Sequence, residues 1–251
     1  NNIKLLVANV YQENRQSGDY HALIQSCEPE LILMLETNKW WETQMDTLGA
    51  AYPHQVKVPL ENTYGMLLYS KLPLYDAEIN YLVEPEIPSI SADVALLSGQ
   101  LVKIYCLHPE PPVPQENPRS TERDKEILMI AKKAKASNIP VLVAGDLNDV
   151  AWSYTTQLFG KISGLLDPRR GRGFFNSFNA KYFFLRFPLD HIFCSADFTL
   201  VSINRMKSCG SDHFPMCVEF QYDPQSTTAN DEPVASQQDK ELAAEKLNAE
   251  V

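Results

Sequence analysis

The sequence predicts an α+β fold: two packed β-sheets flanked by helices. Three observations lead there. Short apolar runs of strand length recur along the whole chain, from IKLLVANV at 3–10 to FPMCVEF at 214–220. Four strand-like runs follow one another between 65 and 107, while helical spacing appears elsewhere, so strands dominate with helices mixed in. The 251 residues are 44% apolar and 22% charged, the profile of a globular protein large enough to bury a substantial core.

Taken in order, residues 3–10 form a first buried strand. Residues 19–27 repeat apolar side chains at helical spacing through Tyr20, Leu23 and Ile24, and Pro29 ends them. LILML at 31–35 is a second buried strand, closed by Glu36, and 39–48 reads as a helix. Strands are predicted at 65–70, 74–83, 92–98 and 101–107, with Gly99-Gln100 as a hairpin turn. Pro109-Glu110-Pro111-Pro112-Val113-Pro114 reads as a stiff loop, because each proline lacks a backbone donor. A helix over about 120–137 follows, capped by Ser120 or Thr121, with Ile127, Leu128, Ala131 and Ala134 as its apolar stripe. VLVAG after Pro140 is a buried strand ending at Gly145, 153–160 a short helix, and 190–195, 198–206 and 215–222 further strands.

The predicted catalytic domain spans 1–223. From Pro224 the composition turns polar, and 224–251 reads as a flexible acidic tail, in which 239–248 forms at most a lone helix with a thin apolar face. The net charge is −10, of which the tail carries −4 from six acids and two bases, leaving −6 for 1–223. Such a chain is not built for strong general duplex-DNA binding, which needs a basic surface. An acidic enzyme can still handle phosphates when a divalent metal supplies the positive charge. The five cysteines (27, 106, 194, 209, 217) form no CxxC pair, which excludes a disulfide framework and a zinc site and leaves a single Cys209–Cys217 bridge open. No apolar run approaches the ~18 residues of a membrane span. The chain starts Asn1-Asn2-Ile3 without Met, which leaves room for an anchor upstream.

The chemistry concentrates at strand ends. Glu36 follows LILML, and Asp146 and Asn148 follow VLVAG. Asp190-His191 opens one late strand and Asp212-His213 another. Carboxylates placed there sit on rigid backbone yet project beyond the sheet. If the ends converge they form an acidic pocket whose oxygen donors suit Mg²⁺ or Mn²⁺.

The pieces Ala8-Asn9-Val10, Leu35-Glu36-Thr37, Tyr64-Gly65-Met66-Leu67-Leu68-Tyr69-Ser70-Lys71, Leu107-His108, Gly145-Asp146-Leu147-Asn148, Leu189-Asp190-His191-Ile192-Phe193 and Gly210-Ser211-Asp212-His213-Phe214-Pro215 resemble, in order, the motifs of the endonuclease/exonuclease/phosphatase (DNase I-like) superfamily. The resemblance implies a four-layer α/β/β/α sandwich of two mostly antiparallel sheets. It also implies metal-dependent hydrolysis of a phosphoester. By motif, Glu36 would bind Mg²⁺ or Mn²⁺, helped by Asn9, with Asp212 at or near the metal. Asp146 would position or deprotonate the attacking water, and Asn148 would orient the phosphate or that water. His213, oriented by Asp190, would contact the scissile phosphate. His108 would bind a phosphate oxygen or protonate the leaving group. The chain departs from relatives at Leu35, where many have Gln. It departs again at Thr63, flanked by Glu61 and Asn62, where DNase I carries the Glu that partners its equivalent of His108. Val143 and Val150 replace the Trp and Arg of the inositol 5-phosphatase branch.

Other residues carry milder expectations. His191 should point to the face opposite Asp190, and His21 and His54 read as surface or packing residues. Trp40 and Trp41 read as packing, and Trp152 as lining the site. Arg169, Arg170 and Arg172, the one dense basic cluster, read as gripping a second phosphate or an anionic head group. The substrate class is a lipid, small-molecule or nucleic-acid phosphoester, with a DNA or RNA nuclease as the alternative and a non-catalytic binding module on the same fold as the distant third. His108-Pro109 leading a Pro-rich loop, with Arg169–Arg172 before the last motifs, more loosely resembles bacterial members that carry membrane helices ahead of the domain, which implies an extracytoplasmic or membrane-face location; the chain reads as a monomer.

Overall fold

The computed structural model describes residues 1–111, 120–228 and 231–249. One sheet has six strands: β1 (Asn2–Asn9), β2 (Leu31–Leu35), β3 (His54–Val58), β4 (Met66–Ser70), β10 (Phe198–Arg205) and β11 (Met216–Tyr222), in the order β10-β11-β1-β2-β4-β3. The other has five: β5 (Leu74–Asn80), β6 (Ser89–Ala95), β7 (Leu101–Leu107), β8 (Val141–Asp146) and β9 (Asp190–Cys194), in sequential order. Among the described residues only the β1–β2 and β7–β8 pairs are parallel.

Strand periodicity explains the layers. On β1, Leu5 and Val7 face the second sheet, while Leu6 and Ala8 face helices α1 (Ser17–Cys27) and α2 (Lys39–Met45). On β8, Leu142 and Ala144 join the core between the sheets, while Val141 and Val143 pack under α3 (Thr121–Lys135) and α4 (Tyr154–Ser163). Both faces of the central strands are therefore buried, which is why they read as unbroken apolar runs. The result is the expected four-layer α/β/β/α sandwich. Among the described residues no helix is long and apolar enough to cross a membrane.

Several expectations are corrected. β3 was not anticipated: every residue of HQVKV is half-buried on a sheet edge, so no clean alternation marks it. β6 starts at Ser89 and ends at Ala95, because Ser89 and Ser91 are buried although polar. Ser120 takes φ 48° and its side chain does not cap α3. The proline-rich loop begins as predicted outside any regular element, but Pro112, Val113 and Pro114 lie outside the described residues. All five cysteines are free thiols, so the Cys209–Cys217 bridge is not formed.

The largest difference is the tail. Helix α5 (Gln237–Asn248) docks on α3 and α4 through Ala243 against Leu128 and Leu158. Ser236 and Asp239 form a capping box at its start. Lys161 Nζ donates to Asp239 at 2.9 Å and Lys246 Nζ to buried Asp124 at 2.6 Å. A thin apolar face suffices because ion pairs flank it. Truncation after Asp223 should therefore lower the melting temperature by about 5 °C or more. An unchanged melting curve would return the tail to a dispensable role.

Candidate active site

The site is built where strand ends of the two sheets meet. Asn9 ends β1 beside Leu35, the last residue of β2, so Asn9 lies next to Glu36. Asn9 Nδ2 donates to Glu36 Oε1 at 2.8 Å and to Asp146 Oδ2 at 3.2 Å, while its Oδ1 accepts from the Tyr11 amide at 3.1 Å. One buried amide thus holds carboxylates from both sheets. Asn9 presents its amide donor to both acids and so positions them, while its Oδ1 keeps a second acceptor site. Glu36 Oε2 also accepts from the Gln12 amide at 3.4 Å.

Tight backbone geometry delivers these groups. Glu36 (φ 58°), Tyr11 (φ 58°) and Asn148 (φ 49°) all occupy the left-handed region, which is costly for residues with a Cβ and tends to cluster at functional sites. Gly145 takes φ 152°, and a Cβ there would lie 1.8 Å from the Leu107 carbonyl oxygen. Only glycine lets β8 approach β7 closely enough to aim Asp146. A Cβ on Gly65 would meet the Thr37 carbonyl oxygen at 1.7 Å, so the turn carrying Glu36 is fixed by a second close approach.

Asp146 and Asp190 are direct cross-strand partners on β8 and β9. Two carboxylates so placed repel. His213 resolves the conflict: Nδ1 is 2.7 Å from Asp190 Oδ2 and Nε2 is 3.4 Å from Asp146 Oδ2. Burial opposes a charged imidazole, but Asp190 and Asp146 outweigh it and push the His213 pKa up to about 10. Burial likewise tends to raise the Asp146 pKa. The charges of His213 and His108, with hydrogen bonds from the Asn148 amide and Asn9, hold it below the ordinary carboxylate value. At neutral pH His213 is therefore an imidazolium held against Asp190 and beside an ionised Asp146.

Ligand atoms of Asp146, Asp190 and His213 all lie within 4.8 Å of one another, a spacing that can also hold a metal. With Nδ1 facing Asp190, a cation in that trio would take the place of the proton on Nε2. The Glu36 carboxylate beside Asp146 is the better fit: its hard oxygen donors suit Mg²⁺ or Mn²⁺.

Since the folded pKa of His213 exceeds its ordinary 6.5, its ion-pair stabilisation is complete below about 6.5 and is lost as pH rises through about 10. A ring-proton NMR titration should show His213 protonated through neutrality, and Asp190→Asn should move its midpoint down. A midpoint near 6.5 in the unmutated protein would contradict the cluster.

His108 is 4% exposed, with Nε2 4.0 Å from Asp146 Oδ2 and its ring 5.4 Å from that of Tyr64. Its buried Nδ1 has no hydrogen-bond partner among the described residues. The departure at 61–63 accounts for this. Glu61 accepts from Asn38 and Lys39, and the Thr63 amide donates to Gln12, so neither supplies the missing partner. Asn148 donates from Nδ2 to the Pro109 carbonyl at 3.0 Å and from its amide to Asp146 Oδ1 at 2.9 Å. It ties the His108 strand end to Asp146.

Asp212 is not drawn into the cluster. Its carboxylate accepts from Ser211 Oγ at 3.4 Å, its carbonyl accepts from Ala180, and it acts on His213 only as a more distant charge. The arginines part ways. Arg169 is 5% exposed, paired to Asp167 and bonded to the Asp190 carbonyl and to His191 Nδ1 at 2.7 Å, so its guanidinium works mainly as an internal brace behind the cleft it also lines. Arg172 donates to the Pro168 and Arg170 carbonyls. Arg170 is exposed and lines a cleft of about 310 Å³ with Trp152 and Phe174, whose rings stand edge to face. His191, on the face opposite Asp190, is buried and donates from Nε2 to the Asp149 carbonyl. Desolvation and Arg169 keep it neutral by lowering its pKa to about 3. Trp41 packs edge-on against Tyr20 in the core, and Arg15 covers Trp40.

Three supporting residues were missed. Arg123 Nη1 donates to the Asn148 carbonyl at 2.8 Å and its guanidinium pairs with Asp124. Gln12 bridges Glu36 and the Glu61–Thr63 turn. Ser177 Oγ accepts from the Asp190 amide, and its neighbour Phe178 packs its ring 5.0 Å from His213. Only adjacency to a motif hinted at any of them: Gln12 stands three residues after Asn9.

A family model described as Endonuclease/Exonuclease/phosphatase family matches residues 6–213. Solved structures of similar fold include TDP2 of D. rerio complexed with single strand DNA product (17% identity, 88% of this chain and 99% of that one, TM-score 0.74). The human Nocturnin catalytic domain with bound sulfate anion is another (16%, 88% and 94%, 0.70). A third is an endonuclease/exonuclease/phosphatase from Bacteroides vulgatus (16%, 89% and 100%, 0.73). No curated protein matches significantly.

Proposed function

The chain belongs to the endonuclease/exonuclease/phosphatase family, whose members are hydrolases acting on phosphoesters, and from that premise we propose that it hydrolyses a phosphodiester or phosphomonoester with Mg²⁺ or Mn²⁺. The observation that carries this is the meeting of Glu36, Asn9, Asp146, Asn148, Asp190, His213 and His108 at the facing strand ends of both sheets.

Glu36 is the residue we assign to the cation, which when bound offsets phosphate charge and makes water more acidic. Asp212, next in sequence to His213, adds a further carboxylate charge at this edge of the site. Asp146, ionised and oriented by Asn9 and the Asn148 amide, accepts the proton of the attacking water. The His213 imidazolium, held by Asp190, offers its Nε2 proton to a phosphoryl oxygen as charge builds there. His108 Nε2 faces the same space and serves a phosphate oxygen or the leaving group.

A nuclease is the second reading, favoured by one feature: the half-exposed Trp152 indole beside Arg170 offers one broad ring face to a base and a cation at the rim. A non-catalytic module would be expected to have lost at least one of Glu36, Asp146, Asn148, Asp212 and His213, and all are present. Arg170→Ala should raise KM at nearly constant kcat, less so at high salt, while Arg169→Ala should lower stability instead. Equal kinetic effects from both would refute the division. The activity itself is tested on bis(p-nitrophenyl) phosphate, p-nitrophenyl phosphate and a single-stranded oligonucleotide, each with and without Mg²⁺. Turnover of none of them, with metal present, counts against the reading.

A further inference from the structure

Between Pro168 and Leu189 the composition inverts. This 22-residue stretch has no acid, five bases (Arg169, Arg170, Arg172, Lys181, Arg186) and six of the chain's eleven phenylalanines, in a protein of net charge −10. Its tip is Tyr182-Phe183-Phe184-Leu185, closed by a hydrogen bond from the Leu185 amide to the Tyr182 carbonyl at 3.2 Å. All four side chains are exposed, Phe183 by 71% and Phe184 by 93%.

The tip is held outward by a fixed base. The Phe178 amide donates to the Phe187 carbonyl at 2.9 Å and Asn179 to Leu185 at 3.1 Å, and Asn179 Oδ1 accepts from the Lys181 and Tyr182 amides. Ala180 donates to the Asp212 carbonyl and Phe214 to the Ser177 carbonyl, joining the segment to the His213 turn. Contiguous apolar groups displayed this way mark an interaction surface. The cations sit behind the tip. Lys181 lies 4.3 Å over the Tyr11 ring, Arg186 4.9 Å over Phe183, and Arg205 4.5 Å over Phe214.

We propose that the 182–185 tip is a membrane-docking element that seats in the interfacial region of an anionic bilayer. The apolar tip would enter to the depth of the upper acyl chains, with Lys181, Arg186 and Arg205 meeting lipid phosphates. Aromatic tips backed by Lys and Arg suit that boundary, and juxtaposed cations are attracted to an anionic surface. A nucleic-acid strand fits less well: Phe183 and Phe184 meet at 81°, so their rings form no common stacking plane, and Leu185 has no ring. Phe178, at the base of the same segment, packs on His213, so docking would bring the site to head-group depth. The binding claim does not depend on the hydrolytic reading.

The test is co-sedimentation of the whole chain with vesicles of phosphatidylcholine alone and of phosphatidylcholine mixed with phosphatidylglycerol, alongside oligo(dT) binding. The unmutated protein should bind the mixed vesicles, and more weakly at high salt. Phe183→Ser/Phe184→Ser/Leu185→Ser should reduce that binding by roughly tenfold or more, with an unchanged melting temperature and unchanged turnover of a soluble phosphoester. Lys181→Glu/Arg186→Glu should reduce binding to the mixed vesicles. The proposal is overturned if the unmutated protein ignores mixed vesicles, if the triple variant binds them equally, or if these residues are needed for oligo(dT) and not for vesicles.

Discussion

Asp146→Asn should lower kcat by at least ~10²-fold while leaving the fold intact, as expected when a positioned base is lost. Asparagine fills the same volume at the end of β8 and can keep one hydrogen bond, so the strand should hold. It cannot accept a proton from water, and it removes one of the two carboxylates that keep His213 protonated. Two signatures should therefore appear together: loss of turnover and a lower His213 titration midpoint. Loss of turnover with an unmoved midpoint would mean that Asp146 and His213 are not coupled as their 3.4 Å separation indicates. Near-normal turnover would remove Asp146 from the chemistry.

Gly145→Ala should be among the most damaging single-methyl additions available. The new Cβ would meet the Leu107 carbonyl oxygen at 1.8 Å, and φ 152° is strained for any side chain. Leu107 and Gly145 are partners in the parallel β7–β8 ladder, so relief requires the ladder to open beside His108 and Asp146. A loss of about 3 kcal/mol or more is expected in chemical denaturation, with turnover falling in whatever remains folded. A variant of ordinary stability would show that the two strands separate easily there.

How much was legible follows from what each residue must do. β1, β2 and β8 could be read because both of their faces are buried, which leaves an apolar run that only a central strand needs. β3 could not, since an edge strand of half-buried His54, Gln55 and Lys57 carries no periodic signal. The acids at strand ends were visible as motifs. Their partnerships were not: the Asn9 bridge spans 137 residues and the Asp190–His213 pair 23. Arg169 read as one of a surface cluster because sequence shows its charged neighbours, not the buried His191 and Asp167 it braces. A helix near 239–248 was legible, but the docking of α5 was not, because beside the small Ala243 contact it rests on Lys161–Asp239 and Lys246–Asp124, pairs set by tertiary placement.

The central claim is that Glu36 holds a divalent cation beside the Asp146–His213–Asp190 cluster and that this arrangement hydrolyses a phosphoester. The most direct measurement is the initial rate on the best of the three substrates, titrated with Mg²⁺ after removal of metal by EDTA, for the unmutated protein and for Glu36→Gln. The account predicts no turnover in excess EDTA, full recovery with Mg²⁺ or Mn²⁺, and a Mg²⁺ requirement shifted upward by roughly tenfold or more in Glu36→Gln, since a neutral amide binds the ion more weakly than a carboxylate. Undiminished turnover in excess EDTA, or a Glu36→Gln titration that overlays the unmutated one, would contradict it.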